Sequence, residues 1–283
     1  MHAKDFLRLY ETGYRNFTGV DLSNLDLSNR ILVGVNLSHA NLANTNLSRA
    51  FLTKANFTEA NLNRANLQFT KLSESCLTAA DLTKITGLGA FWIRSDLSEA
   101  KLSGANLGHV NLRQSNLTKA NLCGVNLYGA NLREANLSGA NLAWANLAEV
   151  RLYGARLEAA QLNAVNLSGA FLNGLTFDGM DLSGVNFSQA RLKGANFVGC
   201  NLIAANFADA NLQHANLTRA QLTGANLTSA QLKRASLQQA DLSRSDLTAA
   251  NLIDTILDNA ILSGARLMNA VGNLSSVEQP LSA

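Results

Sequence analysis

The sequence predicts an all-β repeat protein whose chain turns a corner every five residues, and two observations carry that expectation. From Phe17 to Leu267 a large residue recurs at every fifth position, and 49 of these 51 central slots hold Leu or Phe, with Gly87 and Trp92 the departures. Two residues before a centre the side chain is mostly small, alanine in 30 of the 51 slots, and the residue between the two is usually Asn or Asp. A repeat this strict outranks local propensity in deciding architecture.

A helix advances about 100° per residue, so residues five apart point about 140° from one another and cannot share a buried stripe. In a straight strand they would face opposite sides, because five is odd, whereas the small residue and the centre, two apart, face the same side. Short extended pieces joined by one bend per unit satisfy both requirements. Sixteen of the 20 glycines fall two residues after a centre, among them Gly104, Gly124, Gly139, Gly154 and Gly194, which puts the bend there. A return every 20 residues shows separately in the pairs Phe177 and Phe197, and Phe187 and Phe207, and in asparagines at 106, 126, 146, 166, 186, 206 and 226. Stacked rings and amide ladders favour that coil-on-coil registry.

Units such as Ala135-Asn136-Leu137-Ser138-Gly139 resemble those of the pentapeptide-repeat family, and the resemblance covers about nine tenths of the chain. It implies a right-handed quadrilateral β-helix, a pentapeptide-repeat solenoid with four units per square coil, centre and small residue inward and the other three outward. About 13 coils at about 4.8 Å each would give a rod about 60 Å long.

Residues 1–14 are expected to form a short N-terminal capping helix, since Phe6, Leu7 and Tyr10 have helical spacing within Ala3 to Thr12 and Gly13 offers a stop. Residues 15–270 form the β-helix and 271–283 a C-terminal tail containing Pro280. Within the β-helix, residues 83–95 are irregular. Two readings are open: a loop of about ten residues carrying Gly87, Phe91, Trp92 and Arg94, a common location for function, or a continuing coil in which Trp92 overfills a corner against Gly87. The loop is the preferred expectation. At Leu175 and Met180 the small inward residue becomes large, which reads as local widening beside Phe177.

Composition is 47% hydrophobic and 15% charged, too apolar for disorder. No apolar run approaches the roughly 18 residues of a membrane span, and the start, Met1-His2-Ala3-Lys4-Asp5, lacks the apolar core of a signal peptide, so the expected location is the cytoplasm. The three cysteines are far apart, and the four histidines fall on different sides or in the N-terminal arm, so neither a metal site nor a nucleophile with its base is expected. No glycine-rich phosphate loop accompanies a strand, helix and Lys-Ser/Thr. No catalytic residue and no cofactor are therefore expected.

Distributing the units over four sides in order sorts the 21 Lys and Arg of the repeat as 4, 4, 2 and 11. The fourth side has a formal balance of +8, against −2, 0 and −2 for the others, and places Ile31, Phe51, Phe91 and Phe171 where Asn or Asp usually stands. Rings beside cations characterise interaction surfaces. The candidate face comprises Arg113, Arg133, Arg151, Phe171, Arg191, Lys193, Lys233 and Arg234.

The resembled family includes quinolone-resistance proteins that mimic duplex DNA through an acidic surface and bind DNA gyrase. This chain departs from them with a formal net charge of +3 and no markedly acidic side, so that role ranks last. Its long regular units behind a short N-terminal helix look more like cyanobacterial members, some of which act through protein contacts. The expected function is a non-enzymatic scaffold or regulatory rod that docks a partner protein with an acidic surface. Nucleic-acid binding by the same face is the alternative, since rows of Lys and Arg attract phosphates. A homodimer through the C-terminal coil is a further expectation.

Overall fold

The computed structural model describes residues 1–272 in two compact units, Met1–Asn146 with Gly154–Ala160, and Leu147–Tyr153 with the chain from Gln161 onward. The proposed tail beyond residue 272 lies outside the described residues. Each unit is a right-handed quadrilateral β-helix.

The coil period is visible in the pairing. Within each unit, residues before a centre bridge in parallel to residues 20 positions later, as in Asn16↔Asn36↔Asn56 of the first unit and Asn166↔Asn186↔Asn206 of the second. Each rung is brief. At Leu37, the centre N–H donates to Asn56 O at 2.7 Å and the corner N–H of His39 to Thr58 O at 2.9 Å. The Ala40 N–H closes the turn on Leu37 O at 3.1 Å. Among the described residues, only Asn251–Leu252 (β1) and Val271–Gly272 (β2) extend to two paired residues, parallel and in the register Asn251↔Val271.

All 51 residues that follow a centre by two, from Gly19 to Asn269, have positive φ. The bend is where the sequence placed it, but glycine is not its condition: 35 of these corners carry a side chain in the left-handed region. Glycine is required where a neighbour crosses the corner. A Cβ at Gly89 would stand 2.8 Å from Phe69 Cε1, and one at Gly129 would stand 2.6 Å from His109 Nδ1.

Centres and small residues fill the interior. Leu22, Leu107, Leu137 and Leu222 are buried together with Ala105, Ala135 and Ala225. Where the small slot holds a hydroxyl, it is satisfied internally: Thr45 Oγ1 donates to Leu22 O at 2.8 Å and Ser115 Oγ to Trp92 O at 2.6 Å. Such pairing removes most of the cost of burying a polar atom. Phe177 stacks on Phe197 at 4.9 Å and Phe187 on Phe207 at 4.9 Å, which makes the 20-residue phenylalanine pairs literal stacks.

Residues 83–95 do not loop out, contrary to the preferred expectation. The bridges Thr86↔Asn106, Phe91↔Asn111 and Asp96↔Asn116 continue without interruption, and Trp92 is fully buried. Its indole lies 3.5 Å from where a Gly87 Cβ would be, and Nε1–H donates to Thr70 Oγ1 at 3.1 Å. The missing side chain at Gly87 is thus filled from two directions, by Leu107 Cδ2 of the next coil, 2.7 Å from that Cβ position, and by the oversized indole, so core volume is conserved and the coil has no reason to open. The ladder also continues through Leu175 and Met180, with Leu175 buried and Met180 half-buried.

Helix α1, Ala3–Glu11, precedes the first coil. Phe6 is its buried residue, with its ring 4.5 Å from that of Phe17, the first centre. Tyr10 Oη–H donates to Val33 O at 3.0 Å, and the N-terminal ammonium donates to Asp21 O at 2.9 Å. At the last described coil the centres Leu262 and Leu267 are only half-buried, and Ile256 and Ile261 are exposed in the outward slot before a centre. Among the described residues, no helix is long and apolar enough to cross a membrane.

Candidate interaction face

On most sides the slot before the centre is an asparagine whose two ends do different work. Its Oδ1 accepts the N–H of the residue two further on, as Asn36 does from Ser38 at 3.0 Å. Its Nδ2 donates to the amide one coil earlier, as in Asn126 to Asn106 at 2.9 Å and Asn206 to Asn186 at 3.2 Å. These ladders satisfy outward polar groups within the coil stack and leave few of them for a partner.

The fourth side replaces that ladder. In the first unit the column runs Ile31↔Phe51↔Lys71↔Phe91↔Asn111↔Asn131, with Phe51 40% and Phe91 46% exposed. Lys71 Nζ lies 4.4 Å from the Phe51 ring centroid. In the second unit the column runs Arg151↔Phe171↔Arg191↔Asn211↔Gln231↔Asn251. Guanidinium carbons of Arg151 and Arg191 lie 5.6 and 4.2 Å from the centroid of Phe171, one from the coil on either side. Geometries of this kind are worth about 0.5–1 kcal/mol at exposed sites and hold the cation in place.

The carboxylates on this side are occupied locally. Glu74 sits between Lys54 at 3.9 Å and Arg94 at 3.1 Å, Glu134 accepts from Gln114 at 2.7 Å, and Asp254 pairs with Arg234 at 3.5 Å. Among the described residues, no ion pair involves Arg113 or Arg133 in the first unit, nor Arg151, Arg191, Lys193 or Lys233 in the second. Of the residues selected from sequence, Arg113 and Arg133 share this side in the first unit. Arg151, Phe171, Arg191, Lys193, Lys233 and Arg234 share it in the second, with Arg234 partly spent on Asp254. Because residues 83–95 stay in the coil, Phe91 and Arg94 join the face of the first unit, while Gly87 and Trp92 belong to its core.

Two features escaped the sequence reading. A cleft of about 470 Å³ lies between α1 and the start of the same column, lined by Leu7, Tyr10, Glu11, Arg15, Asn29, Arg30 and Ile31. It depends on where the helix docks, which no repeat pattern reports. On the third side, the Phe69 ring crosses Gly89 and the His109 ring crosses Gly129, and Arg49 lies 5.7 Å from the Phe69 centroid. The signal for these was available, a glycine 20 residues after a ring in the corner slot.

The thiols lie apart from this face. Burial pushes the Cys200 thiol up to about 11. At Cys76 burial acts in the same direction, but hydrogen bonds with Thr58 and Thr78 outweigh it and bring that thiol below its ordinary value. Among the described residues, no group of three or more His, Cys, Asp or Glu could hold a metal ion. What the face offers is guanidinium forks and ring edges, a chemistry of binding.

A family model described as pentapeptide repeats (8 copies) matches residues 16–53, 31–68, 45–83, 93–133, 126–160 and 235–271, and one described as a pentapeptide repeat region matches 171–247. Among solved structures, the chain is 31% identical to HetL, a pentapeptide repeat protein involved in heterocyst differentiation regulation from the cyanobacterium Nostoc sp. strain PCC 7120. That likeness covers 96% of this chain and 97% of HetL, with a TM-score of 0.29. A pentapeptide repeat protein from the Arabidopsis thaliana thylakoid lumen is 30% identical over 36% of this chain and 65% of its own, with a TM-score of 0.28. QnrB1, a plasmid-mediated fluoroquinolone resistance protein, is 13% identical over 92% of this chain and 93% of its own, with a TM-score of 0.29. Among curated proteins nothing matches.

Proposed function

The chain belongs to the pentapeptide repeat family, and we propose that it is a non-enzymatic scaffold or regulatory protein that docks an acidic partner protein through its basic and aromatic side. One observation carries this reading: among the described residues, phenylalanine rings with cations over them stand in the amide-ladder slot on that side, and they do so in both units. Long cationic side chains held against aromatic faces lose less freedom when a carboxylate arrives, which favours association. Mimicry of duplex DNA finds no support in a side balanced at +8 in a chain of net charge +3.

The test is affinity capture from source-cell lysate, with and without nuclease, comparing the native protein with a folded variant in which Arg113, Arg133, Arg151 and Arg191 become Glu. The expected result is a protein partner that survives nuclease and is absent from the variant's eluate. The same partners on both proteins would remove the face from consideration, and nuclease-sensitive capture would replace the protein partner with nucleic acid. Self-association through the C-terminal coil, where Leu262 and Leu267 are half-buried, is a separate proposal. Sedimentation of the full chain with Leu262 and Leu267 changed to Asn tests it, and an unchanged mass at equal concentration would reject it.

A further inference from the structure

We propose that the Arg151–Phe171–Arg191 column of the second unit recognises an acidic amphipathic helix of the partner, lying along the direction in which the coils stack. The inference rests on the docking reading above and names what docks.

Spacing selects the helix. Arg151 and Arg191 are two coils apart, about 9.6 Å at about 4.8 Å per strand spacing, with Phe171 midway between them. On an α-helix, residues seven apart are separated by about 10.5 Å along the axis and differ by only about 20° in direction. A carboxylate at each of those positions meets both guanidiniums, and an apolar side chain three or four residues along meets Phe171. In an extended peptide, same-face residues recur at about 6.7 Å and then about 13 Å, so a carboxylate matched to one arginine misses the other.

The ring's surroundings argue against nucleic acid at this column. Bases bind single-strand platforms by stacking on open aromatic faces. Two guanidiniums already stand over the Phe171 ring, Arg151 at 5.6 Å and Arg191 at 4.2 Å from its centroid, so a base that stacks there competes with them. An aliphatic side chain can pack beside the ring, while the guanidinium forks donate to carboxylates in bidentate fashion. Lys193 adds a third cation beside Arg191 without an ion pair among the described residues. Relief is low where the helix would pass: Gly174 and Gly194 form the adjoining corners, and a Cβ at either would meet no atom within 4 Å.

The experiment titrates the full chain with three fluorescent probes. One is an alanine-rich helical peptide with Glu at positions i and i+7 and Leu at i+3, repeated once. The second has the same composition with the Glu residues moved to opposite sides of the helix, and the third is a single-stranded oligonucleotide of equal charge. The expected result is saturable binding of the first peptide, at least tenfold tighter than of the other two, with the preference abolished by Arg191→Glu at unchanged thermal stability. Equal binding of the two peptides, still lost in Arg191→Glu, overturns the helix and leaves the acidic docking reading standing. Tighter binding of the oligonucleotide, or no binding that responds to Arg191→Glu, overturns both.

Discussion

Trp92 and Gly87 give the sharpest test of how this core is built, because each is the reason the other is tolerated. Changing Trp92 to Leu restores the ordinary centre but vacates the part of the space beside Gly87 that the indole fills, leaving Leu107 there alone. Full truncation of a buried aromatic costs about 3–5 kcal/mol, so the smaller change to leucine is expected to cost about 3 kcal/mol, cavity included. Thr70 Oγ1 loses the indole donor but keeps its own bond to Leu67 O at 2.8 Å, so no stranded donor adds to that figure. Gly87→Leu alone overfills the site, since its Cβ would already stand 2.7 Å from Leu107 Cδ2 and 3.5 Å from the indole. Overpacking of this kind costs about 1–3 kcal/mol.

The double variant restores two ordinary centres and is expected to lie within about 2 kcal/mol of the native protein, instead of the roughly 5 kcal/mol that the single changes would add up to. A coupling of about 3 kcal/mol is at the upper end for residues in contact. Urea unfolding followed by far-UV circular dichroism measures all four proteins, independent of the tryptophan removed. Additive losses would refute volume compensation and with it the account of why residues 83–95 stay in the coil.

Two further outcomes concern titration and reactivity. Hydrogen bonds from the Ser243 side chain and N–H hold Asp241 below the usual carboxylate range, and Thr248 does the same for Asp246. A carboxyl lowered on folding stabilises the protein above its unfolded pKa of about 3.9 and loses that contribution as pH falls through the folded value. Asp241→Asn with Asp246→Asn titrates at neither position, so its urea midpoint relative to the native protein should rise from about pH 6 to about pH 3. A constant difference would dissociate these turns from acid sensitivity. Alkylation mapped by mass spectrometry should modify Cys76 well before Cys200, which is buried and whose thiol is pushed up to about 11. Equal rates in the folded protein would contradict the burial of Cys200.

Much of the molecule was legible in one dimension because the repeat couples each residue to positions 5 and 20 away. Inward and outward directions, the corner and the sorting of cations onto one side all follow from counting, and the pairing Phe171↔Arg191 is the 20-residue return applied to that side. Counting failed where it reports identity and not volume. Gly87 and Trp92 look like two defects in sequence and are one packed pair in space. Glycine likewise seemed to define the corners, yet Lys119 and Arg219 occupy the same left-handed conformation, with φ of 57° and 59°, because the coil hydrogen bonds on either side over-determine the backbone.

What the sequence determined by itself was the period, and through it the β-helix, the filled interior and the charge of each side, since a strict repeat makes neighbours in space computable from position. What only the tertiary structure decided was what those neighbours do to one another. It put Phe6 of α1 against Phe17, fitted Trp92 beside Gly87, tied Glu74 between two cations and set two guanidiniums over the ring of Phe171. Side-chain volume, rotamer and helix docking act through contact at a few ångströms, and a five-residue count carries no information at that range.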